Sequence, residues 1–413
     1  DYTHGERAYF YDVDGNRYLD FWMGHYANIL GHSPVCVREK LAEKLAQGAW
    51  HSGIVCRDEV RLAELVCRLV PSAEMVRFCC SGTESSMYGL RLARSYTGRE
   101  IVMKVSGGWH GAGADLLVSV SRPYEKSESA GLLAASTDKI VSVPFNDPAA
   151  AEKLIRKYGD RLAAVIIEPM VGVGGFIMAD REYLEVIRKA SRQAGAVLIF
   201  DEIISGFRLG LGGAQEIAGV LPDLTLLGKV LGGGMPLGAV CGRRDIMKLA
   251  DPATADRAEG KYTVTGGGTF SCHPLAMAAG IAMLEQLIAR EAEIYPKLAR
   301  AGDYLRQGIE EVFADHDIWM ECTGFASLFM PHFPLGKRGG EQRVVKSPAD
   351  AAYKTDVHKR EIILKEKLLQ KGIYVMHGGG AVSDAHTKED LDSLLQALES
   401  IAPEIKCQPK TDW

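Results

Sequence analysis

Between residues 36 and 310, short apolar runs alternate with segments of helical periodicity, and this alternation restricts the fold more than any other feature of the chain. Met75–Cys80, Ile101–Val105, Ala163–Ile167, Val197–Phe200 and Leu224–Leu227 read as strands, and Glu84–Ser95, Arg181–Ala194 and Pro274–Arg290 read as helices. Strands that are apolar on both faces leave no face for water. They predict a parallel sheet covered by helices on each side, an α/β architecture. Beyond residue 310 the pattern changes. A helix near 293–314, a strand near Ala326–Met330, a polar loop over 335–349 with Lys337, Arg338 and Arg343, and a helix over 350–371 follow in turn. A short strand Gly372–Met376 and a helix over 388–400 complete a smaller α+β lobe. Residues 11–20 read as a hairpin turned at Asp14-Gly15. It has no sheet of its own and is expected to dock on the smaller lobe. The expected boundaries are 1–45 for this N-terminal segment, 46–305 for the large domain and 306–413 for the small one.

Composition narrows the function. Hydrophobic residues make up 47% and charged residues 24% of the 413, the balance of a soluble globular protein. A net charge of −5 supplies no electrostatic reason to expect nucleic acid or an anionic membrane as partner. No apolar run approaches the ~20 residues that span a bilayer. The first residues lack a basic segment followed by an apolar core, so no signal peptide is expected. Nine cysteines are present, none spaced Cys-x-x-Cys, and most lie in apolar runs. They are expected as free thiols in a reducing cytoplasm. Asp12, Asp14 and Asn16 imitate the start of a calcium loop, but Met23 occupies the twelfth position, where a bidentate glutamate is required. No metal is expected.

Three motifs carry chemistry. In Phe78-Cys79-Cys80-Ser81-Gly82-Thr83-Glu84 a strand passes through a small-residue turn into a helix. A helix N-terminus offers unpaired N–H groups to an anion such as phosphate, and Ser81 and Thr83 add hydroxyls. The same residues also serve as an ordinary helix cap. In Ala196-Val197-Leu198-Ile199-Phe200-Asp201-Glu202 two acids end a buried strand, at the edge where open α/β sheets bind ligands. In Leu224-Thr225-Leu226-Leu227-Gly228-Lys229 a lone lysine follows an apolar strand and precedes a glycine run. Such a lysine loses its proton readily and can condense with a carbonyl. A phosphate-binding loop of the ATPase type would need a glycine where Asp223 stands and a hydroxyl where Val230 stands, so that reading is rejected. Together the motifs supply the parts of a pyridoxal phosphate site: lysine for the aldehyde, helix end for the phosphate, carboxylate for the ring nitrogen. Gly107-Gly108-Trp109-His110-Gly111 adds an aromatic face.

These stretches make the chain resemble the class III aminotransferases among the fold type I pyridoxal phosphate enzymes, and most nearly their glutamate-1-semialdehyde aminomutase branch. Asn28-Ile29-Leu30-Gly31-His32, Ser81-Gly82-Thr83-Glu84, Glu168-Pro169, Gly206-Phe207-Arg208 and Gly268-Thr269-Phe270 carry the likeness in the same order. The resemblance implies a mostly parallel seven-stranded sheet flanked by helices. It implies that Lys229 is the Schiff-base lysine and proton shuttle, that Asp201 pairs with the pyridine nitrogen, and that Ser81, Gly82 and Thr83 hold the phosphate. Trp109, with His110 beside it, would cover one ring face and Ile203 the other. Glu168 and Glu202 would stand behind them. Thr269 would reach the phosphate of a neighbouring subunit, implying a homodimer with shared sites. Candidates for the substrate pocket are His25, Arg208 and His377.

The chain also departs from the aminomutases. They carry Ser-Trp where Gly24-His25 stands, a glutamate at Gly378 and an asparagine at Val173. These differences favour an aminotransferase that moves an amino group from an amino acid or amine to an oxo acid, through a Lys229 Schiff base and pyridoxamine phosphate. An aminomutase, an amino-acid racemase and a cofactor-free binding protein on the same fold are the alternatives.

Overall fold

The computed structural model describes residues 1–48, 53–124, 126–253, 262–266, 268–336 and 343–407. The chain forms two compact units. Residues 36–172 and 179–289 make the larger, and 1–35, 173–178 and 290–407 belong to the smaller. Residues 36–45, 173–178 and 290–305 thus lie on the other side of the division from the sequence-based boundaries.

The larger unit is built on a seven-stranded sheet. Its order is Met75–Cys79, Gly238–Gly242, Leu224–Leu227, Val197–Asp201, Leu162–Ile167, Ile101–Val105, Ile140–Val143. Gly238–Gly242 runs antiparallel to both neighbours, and the other strands are parallel. Every residue of Leu162–Ile167 and of Val197–Asp201 is buried, as continuous apolar runs in a doubly covered sheet require. Leu90, Leu92 and Ala93 of the helix Gly82–Thr97 pack with Ile166, Ile199, Leu226 and Val240 in one core. The helix Pro274–Ala289 is apolar on nearly all sides and correspondingly buried. Parallel strands send their carboxyl ends to one edge. The turns after Cys79, Val105, Ile167, Asp201 and Leu227 therefore gather there.

The smaller unit contains a four-stranded sheet, Tyr2–Glu6, Tyr9–Asp12, Arg17–Asp20 and Ile373–Tyr374. The N-terminal hairpin thus shares its sheet with a strand near the C-terminus. A second sheet joins Glu321–Thr323, Leu328–His332 and Gly380–Ala381. The long helices are Glu291–Asp315 and Lys388–Lys406, the latter opened by a reciprocal cap between Thr387 and Asp390. The single helix expected over 350–371 is broken. Pro348–Tyr353 ends early because Leu335 N–H bonds Lys354 O at 2.8 Å and Asp356 N–H bonds Phe333 O at 2.8 Å. These extended pairings take the backbone groups a continuous helix would use. Helix resumes over Lys359–Leu364, with π-type turns, and Lys365–Gln370.

Candidate active site

Each motif of the larger unit sits at the carboxyl edge of its sheet. Ser81 caps the helix Gly82–Thr97, its Oγ accepting from Glu84 N–H at 3.2 Å, while Glu84 Oε2 accepts from Cys80 N–H at 2.8 Å. The helix starts as expected for a cap. Gly82 has a further reason to lack a side chain, since a Cβ there would stand 2.6 Å from Ile203 Cδ1. Ile203 thus packs against the floor of the turn. Thr83 Oγ1 accepts from Ala112 N–H at 3.2 Å.

Asp201 ends the central strand and is buried. Its Oδ2 lies 2.8 Å from His110 Nδ1, and its Oδ1 accepts from Ile203 N–H at 3.1 Å. Burial holds the His110 imidazole below its usual pKa against the pull of Asp201, and the charge of Lys104 adds to the lowering. A neutral ring then donates from Nδ1 to the carboxylate. His110 Nε2 is buried with no hydrogen-bond partner among the described residues.

Glu168 follows the neighbouring strand. Its Oε1 accepts from Trp109 N–H at 2.8 Å and its Oε2 from Gly172 N–H at 2.9 Å. Burial and the charge of Asp201 push its carboxyl up to about 8, against those two hydrogen bonds and the charge of Lys229. The Trp109 side chain is 39% exposed, so it is not a core residue.

Lys229 opens a short 3₁₀ turn with φ of 46°, a left-handed conformation that a side-chain-bearing residue adopts at a cost of about 1–3 kcal/mol. It is half-buried. Burial lowers its pKa, Asp201 and Glu168 oppose that shift, and Arg208 reinforces it. Arg208 itself is wholly buried.

Glu202, next to Asp201, has a different occupation. It accepts from Ser205 Oγ at 2.8 Å, from the Ala214 and Gln215 N–H groups at 2.5 and 3.1 Å, and from Gln215 Nε2 at 2.9 Å. It anchors the start of the helix Gly213–Ala218.

The structure thus brings together Ser81, Gly82, Thr83, Trp109, His110, Glu168, Asp201 and Ile203, linked directly or through the loop after Val105. Lys229 is joined to them through the fields of Asp201 and Glu168. Thr269 is exposed on a turn, and a side chain at the adjacent Gly268 would stand 3.7 Å from Cys80 Sγ and from Glu84 Oε1. His25 and His377 belong to the smaller unit. His25 is exposed in the left-handed turn Met23–Tyr26, its ring 4.3 Å from that of Trp22. His377 Nδ1 pairs with Glu361 Oε2 at 3.3 Å. Lys337 and Arg338 lie outside the described residues. Sequence reading passed over Lys104, a wholly buried lysine whose Nζ bonds carbonyls of the loop carrying Trp109 and His110.

A family model described as aminotransferase class-III matches residues 1–330. A glutamate-1-semialdehyde 2,1-aminomutase of Pyrobaculum calidifontis is 38% identical over 400 residues, 95% of this chain and 86% of the relative. An omega-transaminase from Sphaerobacter thermophilus superposes with a TM-score of 0.88 at 32% identity, covering 98% of this chain and 91% of that one. A β-phenylalanine aminotransferase from Variovorax paradoxus gives 0.85 at 33% identity, covering 100% and 89%.

Proposed function

We propose that this chain, which belongs to the class III aminotransferase family of pyridoxal phosphate enzymes, is an aminotransferase that takes an amino group from an amino acid or amine and delivers it to an oxo acid. Curated relatives named aminomutases and solved transaminases are both similar to it, so overall likeness does not choose between them. Gly378 carries the choice. Its φ is 73°, and a Cβ there would stand 2.6 Å from Arg360 O and 2.4 Å from Arg360 Cγ. The glutamate that marks this position in the aminomutases has no room here.

The residues fit the cofactor. The cradle of Ser81, Gly82 and Thr83 presents a helix N-terminus and hydroxyls to its phosphate. Asp201 offers a buried carboxylate for the ring nitrogen, with His110 fixed against it. Trp109 and Ile203 provide the two faces. Lys229 would hold the aldehyde carbon. When bound, the cofactor supplies a protonated ring that withdraws electrons from the substrate Cα.

The protein's own part is orientation and proton transfer. Burial favours the neutral Lys229 amine, which can take the proton at the substrate Cα. Glu168 fixes the Trp109 backbone and so the lateral position of the ring face. His25, Arg208 and His377 remain the candidates for substrate selection. We propose a homodimer, as the resemblance implies through Thr269, and the adjoining Phe270 is 65% exposed. Its nine free thiols favour the cytoplasm.

A single-turnover titration tests the reaction. Protein loaded with pyridoxal phosphate is mixed with amino acids and amines without any oxo acid. Stoichiometric conversion of the aldehyde form of the cofactor to its amine form, reversed only by an added oxo acid, is the expected result. Unaided return of the aldehyde form with isomerised or racemised substrate would replace the aminotransferase by a mutase or racemase.

A further inference from the structure

Lys104 lies on the strand Ile101–Val105, between Leu162–Ile167 and Ile140–Val143. Its Nζ donates to Gly108 O at 2.9 Å, Leu116 O at 3.2 Å and Val118 O at 2.6 Å. Three N–H donors meet three carbonyls, which is the full capacity of an ammonium group. None of these partners is charged. A buried cation without a carboxylate partner is costly, and an apolar side chain of similar length would exchange that cost for three unpaired carbonyls. The lysine is therefore best understood through the segment whose carbonyls it satisfies.

What the lysine holds supplies the reason. All three carbonyls belong to the segment 108–118. The same segment sends Trp109 N–H to Glu168, His110 to Asp201 and Ala112 N–H to Thr83. Both ends of the segment, at Gly108 and at Leu116 and Val118, are tied to the interior of the sheet, and Trp109, His110 and Ala112 between them reach three residues of the site.

We propose that Lys104 is a positioning residue of the cofactor site: by clamping the carbonyls of Gly108, Leu116 and Val118 it sets the loop that presents Trp109 and His110 to the cofactor ring. This rests on the pyridoxal phosphate reading of that site. The clamp also has an electrostatic side. Burial brings Lys104 down to about 8, with Glu168 and Glu128 opposing the shift. At neutral pH its charge helps keep His110 uncharged, against Asp201.

The test uses Lys104→Met, which removes charge and donors, and Lys104→Gln, which removes the charge and keeps donors. Hydrogen exchange on cofactor-free protein reads the loop directly. In Lys104→Met, exchange over 106–118 is expected to rise about tenfold or more while the sheet strands keep wild-type protection. The dissociation constant for pyridoxal phosphate is expected to weaken by about tenfold. Lys104→Gln should recover part of the loop protection. Its His110 resonance, followed by NMR of histidine-labelled protein, should titrate at higher pH than in the wild type, a shift that a space-filling role would not produce. If Lys104→Met does not fold, Lys104→Gln carries the test. Unchanged exchange over 106–118 together with an unchanged His110 titration would overturn the proposal, as would exchange raised uniformly across the sheet. Wild-type protein that takes up no pyridoxal phosphate would instead overturn the reading of the site, leaving the loop measurement to stand on its own.

Discussion

Glu168 in the larger unit is buried and Glu361 in the smaller is partly so, and the two carboxyls are displaced in opposite directions. Burial and the neighbouring Asp201 push Glu168 up to about 8. Burial also works against the Glu361 charge, but the hydrogen bond from His377 and the charge of Arg360 outweigh it and hold this carboxyl down at about 2. Arg360 Nη2 donates to Glu361 Oε1 at 2.7 Å and Arg360 Nη1 approaches His332 Nδ1 at 2.9 Å. The smaller unit provides its partly buried acid with cations and hydrogen bonds. The larger unit crowds Glu168, His110 and Lys229 around Asp201 at one sheet edge, and burial displaces all three. Perturbed groups gathered in this way mark sites built for chemistry.

Substitution of Lys229 should break the contrast most severely. Lys229→Ala is expected to lower turnover by about 10²–10⁴-fold or more, read as kcat with saturating donor and acceptor. Its melting temperature should be unchanged or higher, because a desolvated amine has been removed. A fall in stability equal to the fall in activity would show that Lys229 serves the fold.

Glu361→Gln comes next. A depressed pKa contributes stability above the unfolded value of 4.5 that is lost as pH falls towards about 2. The variant should therefore unfold more easily than wild type at pH 7, by about 1–3 kcal/mol in urea titration. The difference should close as pH approaches 2.

Glu168→Gln should show an effect of the opposite sign. A carboxyl raised from 4.5 to about 8 makes the native state bind the extra proton, so wild-type stability should decline as pH rises between those values. Thermal melts of cofactor-free protein at pH 5 and pH 8 would show this slope, and the variant should lack it. Equal slopes in both proteins would mean that Glu168 is ionised throughout, and the contrast with Glu361 would disappear.

The parts of this arrangement that sequence revealed share a cause. Val197–Asp201 and Leu224–Leu227 are buried on both faces, so their apolar runs stand out, and the residues that follow them are placed at the sheet edge by topology. Other parts left no such trace. Gly238–Gly242 is the antiparallel strand, but glycines at both ends merge it with the glycine run before it. The helix over 350–371 keeps its apolar period across the break, because the interruption comes from backbone pairing with Phe333 and Leu335, distant in sequence. Lys104 in Ile101-Val102-Met103-Lys104-Val105 reads as an ordinary charge on an apolar strand. Only the folded loop brings three carbonyls to its ammonium. His110 was legible as a neighbour of the ring but not as the partner of Asp201, 91 residues away in sequence.

The adjacent acids Asp201 and Glu202 have a consequence for genetics. One faces His110 and the cofactor site, while the other holds the backbone at the start of Gly213–Ala218. A saturation screen scored only on transaminase activity would find both positions intolerant and would report a single acidic motif. Scored again at lowered temperature, alleles of Glu202 should partly recover as the weakened fold is rescued. Alleles of Asp201 should not, because cooling restores no missing charge. Two neighbours that look like one acidic unit would then separate into a temperature-sensitive class and a null class.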